Sequence, residues 1–76
     1  MLLLSQDKMI LTTFVSVEVV EERRRDERDY YCIYAIRSGN AERVCLAVYN
    51  TISEAKSQME TLFTSIDCEK ELFRFK

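Results

Sequence analysis

The sequence predicts a single α+β domain spanning residues 1–76: a small, mostly antiparallel meander sheet of five to six strands, with one C-terminal helix packed on one face and a short closing strand. Three observations carry that reading. Val44, Leu46 and Val48 alternate with Arg43, Cys45, Ala47 and Tyr49 at the two-residue period of a strand. From Thr51 onward Ile52, Ala55, Met59, Leu62, Phe63 and Ile66 recur at helical spacing, and Leu72, Phe73 and Phe75 then resume a strand pattern.

The elements follow in chain order. Leu2, Leu3 and Leu4 form a short apolar strand, and Ser5-Gln6-Asp7-Lys8 supply turn chemistry before Met9, Ile10 and Leu11 resume the apolar pattern, as in a hairpin. After a bend at Thr12-Thr13, residues 14–20 are rich in β-branched side chains, which predicts a strand with Val15, Val17 and Val19 facing inward. Residues 21–29 are all charged, so they form a solvated hairpin loop or the wet tips of two strands. Residues 30–37 are apolar on both faces, as expected of a central strand. Ser38-Gly39-Asn40 contains the only glycine of the chain beside an asparagine, the clearest turn, and pairs residues 30–37 with residues 43–49 as an antiparallel hairpin. Thr51 and Glu54 stand in capping-box spacing: the hydroxyl accepts from the Glu54 amide while the carboxylate reaches back to the Thr51 amide. The helix is expected over residues 51–66. The predicted core is Leu3, Ile10, Val15, Val17, Val19, Ile33, Ala35, Val44, Leu46, Val48, Ala55, Met59, Leu62, Phe63 and Phe73.

Composition bounds what such a domain does. A folded chain of this length buries roughly 60% of the surface exposed when unfolded, so a supplement from disulfides, metal or a second copy is expected. Cys32, Cys45 and Cys68 are odd in number with no C-x-x-C pair, and histidine is absent, which points away from a disulfide scaffold and structural zinc. That leaves oligomerisation. The Met1-Leu2-Leu3-Leu4 run is interrupted after four residues and has no basic segment before it, and no apolar stretch approaches the roughly 20 residues of a membrane helix. The reading is a protein of a reducing compartment, most simply a bacterial cytoplasm. A formal charge of −2 argues for neither nucleic acid nor an anionic membrane as partner.

Ser5-Gln6-Asp7-Lys8 near the start, Leu46-Ala47-Val48-Tyr49-Asn50-Thr51 closing a strand and Glu54-Ala55-Lys56 opening a helix together resemble a group of short uncharacterised proteins of Gram-positive bacteria and their prophages. The resemblance covers about a third of the chain and implies a small α+β domain of unknown function; it brings no catalytic residues with it. The chain departs from that pattern at Ala47, where those proteins often carry glycine, and in its charged segment over residues 21–29.

Three functional classes can be weighed on the residues. Catalysis lacks histidine as general base, which excludes Ser-His and Cys-His arrangements; Glu18, Glu21 and Glu22, or the thiols of Cys32 and Cys45, are the remaining candidates, more simply read as solvated carboxylates and apolar filler. The expectation is no enzyme, no cofactor and no metal. Single-stranded nucleic acid could be held by Arg23, Arg24, Arg25 and Arg28 with neighbouring Tyr30, Tyr31 and Tyr34 as stacking platforms. However, five carboxylates against four guanidinium groups in residues 21–29 leave a local charge of −1, which does not hold a polyanion unless the arginines are separated onto one side of the hairpin. The favoured class is a protein-interaction module, a homodimer or a binder of another protein, with Tyr30, Tyr34, Tyr49, Phe73 and Phe75 as interface anchors or, equally, as ordinary packing.

Overall fold

The structure, a computed structural model, describes residues 1–23, 28–37 and 42–76. It contains β1 (Leu2–Leu4), β2 (Leu11–Thr12), β3 (Ser16–Arg23), β4 (Asp29–Ile36), β5 (Arg43–Tyr49), α1 (Ile52–Asp67) and β6 (Leu72–Arg74). The α+β class stands, but the strands form two sheets instead of one meander. One is antiparallel in the order β3-β4-β5; the other runs β2-β1-β6, with β2 antiparallel and β6 parallel to β1. The predicted turn at Ser38-Gly39-Asn40 lies outside the described residues, although the antiparallel pairing of β4 with β5 is present.

The small sheet departs from a meander because α1 carries the chain back past β1, whose second edge is then paired. Leu2 N–H donates to Glu71 C=O at 2.8 Å and Phe75 N–H to Leu4 C=O at 3.1 Å. Leu3 and Phe73 are register partners and both point inward, so the closing strand joins the core through the face it shares with β1. The hairpin between β1 and β2 is closed by backbone bonds from Ser5 N–H to Ile10 C=O at 2.8 Å and from Lys8 N–H to Ser5 C=O at 2.9 Å, and side chains reinforce it. Ser5 Oγ accepts from Ile10 N–H and donates to Asp7 Oδ1, which also accepts from Met9 N–H. These bonds, the Ser5 hydroxyl first, hold the Asp7 carboxyl below its ordinary range. Lys8 takes the left-handed conformation (φ 65°).

Helix α1 begins as expected: Glu54 N–H donates to Thr51 Oγ1 at 3.2 Å. The carboxylate, however, accepts the Thr51 hydroxyl proton at 3.0 Å, so both halves of the cap use the same hydroxyl. At the other end Glu69 N–H bonds Ile66 C=O and Lys70 N–H bonds Ser65 C=O, the paired bonds of a Schellman motif, with Glu69 in the left-handed position (φ 56°) that glycine usually occupies.

The core comprises Leu3, Ile33, Ala35, Leu46, Ala47, Tyr49, Ala55, Leu62, Phe73 and Phe75, flanked by half-buried Ile10, Phe14, Val17, Val19, Val44 and Met59. Three expected core residues lie outside it. Val48 is exposed because β5 carries a bulge: Ile33 pairs with Ala47 but Tyr34 pairs with Cys45, leaving Leu46 as the extra residue. One added residue exchanges the faces of everything after it, so Ala47 and Tyr49 turn inward and Val48 outward. Val15 is exposed because the backbone bends there, before β3, and Phe14 packs against the core in its place. Phe63 is exposed because α1 lies principally over β4 and β5; Ala55, Met59 and Leu62 form the covered stripe, and Phe63 stands at its margin on the β3 side.

Candidate interaction surfaces

The five aromatic candidates divide by sheet face. Tyr49, Phe73 and Phe75 are core residues and are closed to a partner. Tyr49 turns inward through the bulge, and its hydroxyl donates to the Lys76 carbonyl at 2.6 Å; burial pushes this phenol up to about 12. Phe73 and Phe75 share the inward face of the closing segment, with ring centroids 4.9 Å apart and nearly perpendicular.

Tyr30 and Tyr34 instead lie on the face of the β3-β4-β5 sheet turned away from α1, and both are half-buried. Register places Glu18 opposite Tyr34 and Glu22 opposite Tyr30 on that face. The Tyr34 hydroxyl donates to Glu22 Oε1 at 3.2 Å, and the Arg43 guanidinium sits 4.7 Å from the Tyr34 ring centre while pairing with Glu18 at 3.0 Å. Burial first, then Cys32 and Glu22, push the Tyr34 phenol up to about 12. The group is a small polar lattice with its ring, cation and carboxylates already engaged.

Of the arginine candidates, the two among the described residues, Arg23 and Arg28, form no basic surface. Arg23, at the end of β3, lies 3.8 Å from Asp29 across the hairpin; Arg28 is exposed; Arg24 and Arg25 lie outside the described residues. Glu21 adds a further carboxyl, raised above its ordinary range by hydrogen bonding to Asp29 and by that neighbour's charge. A phosphate approaching Arg23 meets the carboxyl groups of Asp29 and Glu21.

The carboxylate and thiol candidates are engaged by neighbouring groups. Glu18 and Glu22 are held by Arg43 and Tyr34. Cys32 is buried, and the Cys45 thiol donates to Ala47 C=O at 3.6 Å and is pushed up by burial, then by neighbouring Cys32. A raised thiol is a poor nucleophile at neutral pH. No group of three metal-ligating side chains occurs among the described residues.

Two apolar surfaces remain, and sequence periodicity did not mark either. On one face of the small sheet Leu2 and Leu72 are opposite one another, as are Leu4 and Leu11, and Met9, before β2, is exposed as well. The other surface is a groove of about 200 Å³ between α1 and β3, lined by Phe14, Val17, Met59, Leu62, Phe63 and Ile66. Its most prominent member is Phe63, 72% exposed at the rim. The signal that could have found the groove is the width of the helical apolar stripe: Leu62 and Phe63 are adjacent, about 100° apart around the helix, and one narrow sheet covers only one of them.

Comparison of the chain with protein-family models, curated protein sequences and solved structures returns no match.

Proposed function

We propose that this chain is a non-enzymatic protein-interaction module that works by self-association in a reducing compartment, most simply a bacterial cytoplasm. The observation that carries the reading is the exposure of large apolar side chains on a small domain: Met9 81%, Phe63 72%, Val15 63% and Leu11 58%. Single exposed apolar residues are ordinary, but Leu11 shares a sheet face with Leu2, Leu4 and Leu72 and Phe63 borders an apolar groove, and apolar surface gathered in this way marks contact with another molecule. Free Cys32, Cys45 and Cys68 are compatible with a reducing environment, and no helix among the described residues is long and apolar enough to cross a membrane.

Sedimentation velocity over a wide concentration range tests this. A mass that rises towards twice 9.0 kDa supports self-association, and a strictly monomeric chain at high concentration removes it. The alternative, weak single-stranded nucleic-acid binding through Arg23 to Arg28 and the neighbouring tyrosines, is opposed by the carboxylates that share the same arm and face. It requires detectable binding of single-stranded DNA or RNA at low salt, where phosphate contacts are strongest; none is expected.

A further inference from the structure

We infer that Cys32 and Cys45 form an oxidant-responsive dithiol, which hydrogen peroxide converts into a disulfide joining β4 to β5 beside the bulge. The inference is independent of self-association and assigns a covalent modification to the face of the β3-β4-β5 sheet turned away from α1.

Three observations bring the two sulfurs together. Tyr34 is opposite Cys45 and Cys32 is opposite Val48, so the two cysteines are diagonal neighbours on one sheet face. Their side chains close the diagonal, since the two thiols are in hydrogen-bonding contact. A disulfide asks for Cβ atoms about 3.5–4.5 Å apart, which thiols in mutual contact reach by side-chain rotation and a slight approach of the strands. The third observation is a difference in access. Cys45 is half-buried and lines an open recess of about 90 Å³ at the bulge, beside Gln6, Asp7 and Val48, whereas Cys32 is 3% exposed. A water molecule's share of liquid volume is about 30 Å³, so the recess admits a peroxide of two oxygens.

The chemistry balances with hydrogen peroxide as oxidant. The Cys45 thiolate attacks one peroxide oxygen, the O–O bond breaks, and the departing hydroxide takes up the proton that the thiol shed and leaves as water. Cys45 is then a sulfenic acid. The Cys32 sulfur attacks the Cys45 sulfur, the S–S bond forms and the S–O bond breaks, and the hydroxyl leaves as water with the Cys32 proton. Each sulfur has given up one electron, and the peroxide has become two waters. Burial first, then Cys32 and Asp7, keep Cys45 protonated at neutral pH, so the first attack is slow. The second is fast because the resolving thiol is already in place. The pair therefore stays reduced in a reducing compartment and answers sustained oxidant.

The test is peptide mapping of the folded wild-type chain after hydrogen peroxide treatment at low protein concentration, in parallel with C68S, which removes the exposed third thiol. Trypsin without reductant should release residues 29–37 joined to residues 44–56. Intact C68S should lose the mass of two hydrogens and regain it with dithiothreitol, and its urea midpoint should rise on oxidation, because the bridge constrains the unfolded chain. Adding C45S to C68S should abolish the joined peptide. Three results would overturn the inference: Cys45 stopping at a sulfinic acid with no joined peptide, cross-links that all run through Cys68, or a folded C68S that stays reduced while the urea-unfolded chain cross-links under the same peroxide. The wild-type map decides the first two without any variant having to fold.

Discussion

Along β5, the β3-β4-β5 sheet ends in a bulge whose outward backbone is taken up by Gln6; along β3, the same sheet ends in eight residues with no further strand beside them among those described. At the closed edge Gln6 N–H donates to Leu46 C=O at 2.7 Å, Val48 N–H donates to Gln6 Oε1 at 3.0 Å, and Gln6 Nε2 donates to Lys76 C=O at 3.1 Å. One residue thus joins the end of β1, the bulge and the end of the chain. At the open edge the equivalent space between sheet and helix is the apolar groove. The difference separates apolar surface that is covered within the chain from apolar surface that is left exposed.

The closed edge should break most readily at Leu46. Its side chain is almost wholly buried at the bulge, so Leu46→Ala is expected to lose about 2–5 kcal/mol through lost burial and the cavity left behind. Urea unfolding monitored by circular dichroism checks this, as a fall in midpoint at similar slope. Gln6→Ala should cost less, about 1–2 kcal/mol for its two side-chain hydrogen bonds, because Val48 is exposed and water can replace the lost acceptor. A Gln6→Ala chain as unstable as Leu46→Ala would mean that the hydrogen bonds, and not apolar burial, hold that edge.

What the sequence made legible follows the same division. Residues whose local pattern agrees with their environment were readable: the Thr51-Glu54 cap, the β4-β5 pairing, and Ala55 and Leu62 on the covered stripe. Three features were not. The bulge at Leu46 breaks no rule of composition; it is set by the contacts of Gln6, distant in sequence, and it reversed the expected facing of Val48 and Tyr49. The parallel docking of β6 on β1 is likewise a tertiary choice, and it turned Phe73 and Phe75 from candidate anchors into core. The left-handed turns at Lys8 and Glu69 lack the glycine or asparagine that announces such positions. Of the candidate surfaces, the interface class was an expectation of composition and stands as a proposal, and Phe63, the most exposed residue of the groove, was expected inside, because a helical stripe read without its sheet does not show how much the sheet covers.

Tyr49 sharpens the closed edge through pH. Its phenol is raised from 10.0 to about 12 by burial, so the neutral form is the one the folded chain favours. The stability it contributes is fully present below pH 10 and is lost as pH rises from 10 through about 12, because the unfolded chain releases the proton first. Tyr49→Phe removes the donor to Lys76 C=O, whose oxygen keeps the Gln6 amide as a partner, so the loss at neutral pH should be about 1 kcal/mol. The variant should also show a shallower decline in unfolding free energy between pH 10 and 12 than the wild type. Tyr34 is raised in the same direction and should supply the remaining slope.

The smallest effect belongs to the open edge. Phe63→Ala, measured at a protein concentration where the wild type is monomeric, should change unfolding free energy by no more than about 0.5 kcal/mol, as for an exposed substitution outside core and caps. Leu62, its neighbour in sequence, is buried, and Leu62→Ala should cost about 2–5 kcal/mol already in the monomer. Adjacent residues would then differ in kind, Leu62 stabilising the single chain and Phe63 contributing little to it. A Phe63→Ala chain destabilised by several kcal/mol as a monomer would place that ring in the core, and the open edge would be closed by it.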